Sequence, residues 1–254
     1  MPDLILVETI DRGIAAVTLN RPERRNALSI DLLEQLCAAV VRLASDPAHR
    51  VLILRSAGPV FSAGLDLKEA ADSTLVERSA TAVARALDLL QNTPLIVIAA
   101  VQGGAFAGGA GLMAACDIVI AADDAMIGFP EVRRGLLPAL ICNVLKHKVR
   151  EGDLRELFLA GESIDAVRAQ QVGLVQRVVP ANRLLDEAYN VARSVMAGGP
   201  ETIRQTKALV NAAYQRAGDS SGSKFIEAHL AARNSNEARE GLSAFAEKRS
   251  PNWA

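Results

Sequence analysis

Apolar runs of β type occupy residues 4–10 and 14–19, and Asp11-Arg12-Gly13 between them reads as the turn of a hairpin. Ser29 then stands as the cap of a helix whose apolar face carries Leu32, Leu33, Leu36, Val40 and Leu43, and Asp46-Pro47 closes it. Short buried strands are expected at 51–54, 95–101, 118–121 and 174–179, with a helical pattern over 75–90 between the first two. Strand and helix alternate up to about Pro180, which predicts an α/β architecture with crossover connections. Beyond Pro180 the pattern is helical only, over 181–196, 201–213, 223–232 and 236–248, punctuated by Gly198-Gly199-Pro200 and by glycines between 218 and 222. Phe225, Leu230, Leu242, Phe245 and Trp253 give this last quarter more apolar surface than a solvated tail needs, so it should pack on the core or on another subunit. The expected division is a core of residues 1–195 followed by a helical region of residues 196–254.

Length and charge narrow the partners. A chain of 254 residues, half of them apolar and 4% aromatic, can bury one large core built mostly of Ala, Leu, Val and Ile. A net charge of −1 gives no reason to expect nucleic acid or an anionic membrane as partner. The longest clean apolar run, 95–101, is far too short to span a bilayer, and no basic segment followed by an apolar stretch marks a secretory signal. Cys37, Cys116 and Cys142 are odd in number and widely spaced, so reduced core residues and a cytoplasmic location are expected. His49, His147 and His229 lie far apart and outside any HExxH spacing, and no metal site is expected.

Candidate chemistry sits in two glycine-rich segments, Val60-Phe-Ser-Ala-Gly-Leu-Asp-Leu-Lys-Glu69 and Gly103-Gly-Ala-Phe-Ala-Gly-Gly-Ala-Gly111. Each follows a short β-branched run and leads into predicted helix, which leaves free backbone N–H groups where the helix dipole favours negative charge. If the two loops converge, they form a pair of donors for an oxygen that becomes negative during a reaction. Glu131, in Phe129-Pro-Glu131-Val-Arg-Arg-Gly-Leu-Leu-Pro138, has an apolar, proline-bounded setting. On the surface it would pair with Arg133 or Arg134; facing the glycine-rich loops it would be partly buried, with a raised pKa suited to proton transfer. Two other motifs are weaker. Gly109-Ala-Gly111-Leu-Met-Ala114 matches the GxGxxA dinucleotide fingerprint, but seven residues, Gln102 to Gly108, separate it from the preceding strand. Ser62 in Phe61-Ser62-Ala63-Gly64 resembles part of a nucleophile elbow, but Val60 replaces the first glycine and no histidine has the spacing of its base.

Over essentially its whole length the chain resembles the crotonase superfamily, the enoyl-CoA hydratases and isomerases. The matching segments come in the family's order: Asn20-Arg-Pro-Glu-Arg-Arg-Asn-Ala-Leu28, Phe61-Ser-Ala-Gly-Leu-Asp-Leu-Lys-Glu69, Gln102 to Asp117, Phe129-Pro-Glu131 and Phe245-Ala-Glu-Lys-Arg249. The resemblance implies an α/β fold with a crotonase-like spiral of ββα turns, a C-terminal helical trimerisation region, and a homotrimer or dimer of trimers. It implies an acyl-CoA substrate, with coenzyme A belonging to the substrate, and no metal or redox cofactor. The backbone N–H groups of Leu65 and Gly108 would hold the thioester oxygen. Ala63, Asp66 and Leu67 would receive the adenine end of coenzyme A, and Arg24 lies toward its pantetheine and phosphates. Phe245 and Lys248 match positions that reach a neighbouring subunit's acyl pocket and nucleotide phosphate.

One departure bears on the reaction. Typical hydratases of the family carry two catalytic glutamates, and the first falls at Gly111 here, leaving Glu131 in the position that exchanges the C2 proton. A single carboxylate suits Δ3,Δ2-enoyl-CoA isomerisation. Glu131-Val-Arg-Arg-Gly-Leu-Leu-Pro-Ala139-Leu-Ile141, however, also resembles a bacterial methylglutaconyl-CoA hydratase-like group that lacks the same glutamate. The expectation is an enoyl-CoA hydratase of the kind that serves fatty acid metabolism. The alternatives are an isomerase, a non-catalytic acyl-CoA binder and a dinucleotide-dependent reductase.

Overall fold

A computed structural model of the chain describes residues 3–214 and 223–252, without the side chains of Leu67, Ser223, Lys224, Phe225, Ala228 and Glu237. The hairpin forms as β1 (Ile5–Asp11) and β2 (Ile14–Leu19), and the parallel strands β3 (Val51–Ser56) and β4 (Ile96–Val101) extend it. Three-residue β5 (Gly104–Phe106) leaves this sheet, β6 (Ile118–Ala122) rejoins it, and β7 (Met126–Gly128) and β8 (Ser163–Asp165) pair alongside β5. With β9 (Arg177–Val179), the described strands form one sheet in the order β1-β2-β3-β4-β6-β9 and a small one in the order β5-β7-β8. Every residue of β2 and β4 is buried, as continuous apolar runs covered on both faces of a parallel sheet should be.

Helices cover the faces. On one side lie α1 (Ile30–Ala44) and α3 (Val76–Asn92), with the short α2 (Leu67–Ala71) between them in sequence. Ser29 caps α1 as expected, its hydroxyl accepting the Leu32 N–H at 3.3 Å. Next come α4 (Gly108–Ala115), buried at every residue, and α5 (Ala139–Leu145), which packs on it. After α6 (Glu151–Ala160) and α7 (Ala166–Gln171), α8 (Leu184–Met196) packs against β3, β4 and β6.

The C-terminal helices are α9 (Pro200–Tyr214), α10 (Ser223–Arg233) and α11 (Asn236–Glu247). They pack on their own core: α10 rests on α3 and α5, and α11 on the short turn Val132–Arg134. Buried Lys207 anchors α9, its Nζ donating to Leu95 O at 2.8 Å and to Asp117 Oδ2 at 2.7 Å. Leu230, Leu242 and Phe245 lie in the described helices; the Phe225 side chain and Trp253 lie outside the described residues. No helix among the described residues is long and apolar enough to cross a membrane.

Two expectations need correction. The run 174–179 pairs only from Arg177, because the Leu174 and Val175 amides are spent on Ala169 O at the end of α7. The strands β5, β7 and β8 were absent from the sequence reading, since three residues are too few for a period of two to declare itself.

Candidate active site

The two glycine-rich loops converge, and backbone pairing explains how. Leu28 forms a parallel bridge with Leu65: its N–H donates to Gly64 O at 2.8 Å, and its carbonyl accepts from Asp66 N–H at 3.1 Å. In a parallel pair, a residue whose two flanking peptides face the partner turns its own N–H to the opposite edge, so the Leu65 amide looks away from Leu28. Asn26 clamps this loop from the entry motif. Buried completely, it donates through Nδ2 to Ala57 O and Val60 O, both at 2.8 Å, and its own carbonyl receives Ser62 Oγ–H at 2.8 Å. Ser62 is thereby an ordinary buried loop hydroxyl.

The second loop is turned by Ala107, a non-glycine residue at φ 50° and ψ −125°. Such a conformation typically costs about 1–3 kcal/mol and persists where its surroundings hold it. Here the Ala107 N–H donates to Gly128 O at 2.9 Å and the Ala107 carbonyl accepts the Gly111 N–H at 3.0 Å. Gly108 follows as the first residue of α4, where an amide has no intrahelical acceptor. The loops touch at Gly64 (φ +92°), where an added Cβ would lie 2.8 Å from Phe106 O and 2.9 Å from Ala107 Cβ. A Cβ on Gly108 would meet Leu28 at 3.2 Å and the Leu65 side chain at 3.9 Å. Gly109, from the weak dinucleotide fingerprint, packs flush on Ser62, where a Cβ would fall 2.6 Å from that side chain. Its glycine is thus required by packing.

Leu65, Gly108 and Glu131 line one cavity of about 640 Å³. Glu131 precedes the turn Val132–Arg134 and is 7% exposed. Its expected surface partners are engaged elsewhere: Arg133 pairs with Glu162 at 3.2 Å, and the Arg134 guanidinium stacks over Phe245 at 4.3 Å. Glu131 Oε2 has no hydrogen-bond partner among the described residues. Burial pushes its pKa up to about 7, with its own backbone amide and the charge of Arg134 pulling it partly back.

Arg24, Ala63 and Asp66 line the same cavity, with Arg24 exposed at its edge. Asp66 caps α2, accepting the Lys68 N–H at 2.9 Å, and pairs with Arg21 at 2.5 Å; these partners hold its carboxyl below the usual range despite burial. Leu67 opens α2, and its side chain is outside the described residues. Phe245 differs from expectation: it lines the cavity of its own chain. The cause is α11 lying directly on the Arg134 backbone, where a Cβ on Gly241 would come within 2.3 Å. Lys248 ends α11 in a left-handed conformation at φ 56°, exposed and outside the cavity wall.

The Gly111 position is closed. It does not line the cavity, and a Cβ there would meet Ile141 Cγ1 at 3.1 Å and Leu87 Cδ2 at 3.5 Å. Sequence reasoning missed several wall residues, including Leu136, Leu140, Ile141 and His229. Leu136 lies in a loop and His229 is a lone polar residue on its helix, so neither carries a local signal; Leu140 and Ile141 are apolar, which says that a residue is buried but not against what.

Comparison with known proteins agrees with this geometry. The sequence profile described as "Enoyl-CoA hydratase/isomerase" matches residues 9–254. An enoyl-CoA hydratase from Mycobacterium avium is similar in structure, with a TM-score of 0.90 and 34% identity over 100% of both chains. Enoyl-CoA hydratase domain-containing protein 3, mitochondrial, of Danio rerio is 33% identical over 245 residues, 95% of this chain and 85% of that one. A methylmalonyl-CoA decarboxylase in complex with 2-nitronate-propionyl-CoA has a TM-score of 0.85 and 26% identity, over 99% of this chain and 98% of its own. With strand order, convergent loops and buried Glu131 alongside, the chain belongs to the enoyl-CoA hydratase/isomerase family, within the crotonase superfamily.

Proposed function

We propose that this protein hydrates a 2-enoyl-CoA thioester. The carrying observation is a buried carboxyl with a free oxygen and a pKa near 7, in one cavity with two backbone amides for which no acceptor stands among the described residues. The thioester oxygen sits between Leu65 N–H and Gly108 N–H, which stabilise the enolate; one such donor is typically worth about 10²–10³ in rate. Glu131 delivers or removes the C2 proton, a contribution of roughly 10²–10⁴. Arg24, Ala63, Asp66 and Leu67 receive the nucleotide and pantetheine end of coenzyme A, mainly through the backbone. The solved decarboxylase bound to a propionyl-CoA analogue supports a CoA thioester in a fold of this kind. No metal or redox group enters this scheme.

A second reading, Δ3,Δ2-enoyl-CoA isomerisation, is favoured by the closed Gly111 position, which leaves one carboxylate to move one proton between carbons. Crotonyl-CoA losing its enoyl absorbance supports hydration. Turnover of a 3-enoyl-CoA with crotonyl-CoA left intact supports isomerisation, and binding without either supports the acyl-CoA binder. For assembly we propose a homotrimer or dimer of trimers, supported by the exposed apolar side chains of Leu209, Val210 and Tyr214 on α9. Sedimentation of the intact protein as a monomer would overturn that.

A further inference from the structure

The cavity holds a second buried polar atom that the chain leaves unused. His229, on α10, is 8% exposed and lines the same cavity as Glu131. Its ring bonds the Leu137 backbone, and its Nε2 has no partner among the described residues. A carbonyl can only accept, so Nδ1 carries the proton and Nε2 presents a bare lone pair. Burial and the neighbouring charge of Arg233 lower the imidazole pKa to about 4, so the ring is neutral. Arg233 lies outside the cavity wall and makes no hydrogen bond to the ring: its Nη2 donates to Ala70 O at 2.7 Å, and its buried Nε and Nη1 have no partner among the described residues. A buried acceptor left unpaired costs stability, and such atoms in native structures call for a ligand or water.

Its location matters as much as its chemistry. Leu136 N–H donates to Glu131 O at 3.0 Å, and the next residue, Leu137, holds the His229 ring, so one short turn positions both groups. Around them the wall is apolar, with Val83, Leu140 and Ile141 among its residues. The Gly111 position, where a second carboxylate would otherwise orient water, is occupied by Ile141 and Leu87.

We propose that His229 Nε2 holds the water that adds to C3 of the enoyl thioester, accepting one of its O–H groups opposite Glu131. This rests on the hydratase reading above. As the water oxygen bonds to C3, the C2=C3 π pair moves through the thioester to the oxygen held by Leu65 and Gly108. The other water proton passes to the Glu131 carboxylate, and Glu131 then returns a proton to C2 as the enolate collapses. Glu131 and His229 end as they began, and the net change is addition of H and OH. His229 is therefore a water-positioning residue that replaces the missing carboxylate from a different helix.

The test compares His229→Phe and His229→Gln with wild type in two assays: hydration of crotonyl-CoA, and exchange of the C2 hydrogen of butyryl-CoA in heavy water. Exchange uses the oxyanion amides and Glu131 but no added water. His229→Phe should lower the ratio of hydration to exchange by about 10-fold or more, through kcat rather than KM. His229→Gln, whose amide oxygen can accept the same hydrogen bond, should recover part of that ratio. If the Phe variant does not fold, His229→Leu reads the same ratio. Hydration and exchange falling equally, a change in KM alone, or unchanged hydration would overturn the assignment while leaving the hydratase reading intact. Wild-type protein that exchanges but never hydrates would overturn that reading, and the role of His229 with it.

Discussion

Restoring a carboxylate at position 111 is the perturbation whose outcome the packing decides most sharply. A Cβ on Gly111 would already stand 3.1 Å from Ile141 Cγ1 and 3.5 Å from Leu87 Cδ2. Leu87 is 3% exposed and has no free space to retreat into, while Ile141, 4% exposed, can yield only toward the cavity it lines. Gly111→Glu must fit four further heavy atoms past that Cβ, which in a packed core costs about 1–3 kcal/mol of strain. Its carboxyl would be buried without a hydrogen-bond partner, at a further cost of about 1–3 kcal/mol even when protonated. Better helix propensity than glycine returns a little under about 1 kcal/mol. The net loss is about 1–5 kcal/mol, which for a chain of this size lowers Tm by roughly 2–20 °C. Hydration should not rise, because the new carboxyl does not face the cavity. Differential scanning calorimetry and the crotonyl-CoA assay measure the two effects. A Gly111→Glu protein with unchanged Tm and faster hydration would refute the reasoning, showing that space beside α4 opens to the substrate. Gly111→Glu with Ile141→Ala should recover part of the lost stability.

Other predictions follow from particular contacts. Because the Glu131 pKa is raised, the folded state disfavours its ionised form: the penalty is absent below pH 4.5, grows through the interval, and is complete above about 7. Glu131→Gln should therefore gain about 3 kcal/mol in stability relative to wild type between pH 4.5 and pH 8, read from melting curves; a constant difference contradicts this. Gly64→Ala, with φ +92° and a Cβ 2.8 Å from Phe106 O, should push the loops apart, costing about 1–3 kcal/mol and about 10²-fold in turnover. Lys207→Met removes the ion pair of partly buried Asp117, leaving only the more distant charge of Lys148, and should destabilise by about 1–3 kcal/mol in denaturant unfolding, with Lys207→Met plus Asp117→Asn recovering part.

What could be read from the sequence, and what could not, divides along physical lines. The hairpin, α1 with its Ser29 cap, the parallel strands and the C-terminal helices were legible because each rests on local periodicity or a capping residue. The two glycine-rich loops were legible as candidate chemistry, since free amides at helix starts have few other uses, but their convergence rests on long-range bridges, Leu28 to Leu65 and Ser62 to Ala105. The burial of Glu131 depended on Arg133 and Arg134 finding partners elsewhere, and no local pattern encodes that choice. Ile141 filling the Gly111 gap and His229 entering the cavity are contacts between α4, α5 and α10, far apart in sequence. Phe245 was legible as a wall residue through family resemblance, whereas its attachment to its own chain follows from Gly241 docking on Arg134.

The central claim is that Leu65, Gly108 and Glu131 together make and quench an enolate at C2 of a CoA thioester. Deuterium uptake at C2 of butyryl-CoA in heavy water, followed by NMR, tests it without requiring hydration or isomerisation. Wild-type protein should exchange that hydrogen, and Glu131→Gln should bind butyryl-CoA while exchanging it about 10²-fold or more slowly. Exchange at the wild-type rate in Glu131→Gln would contradict the account.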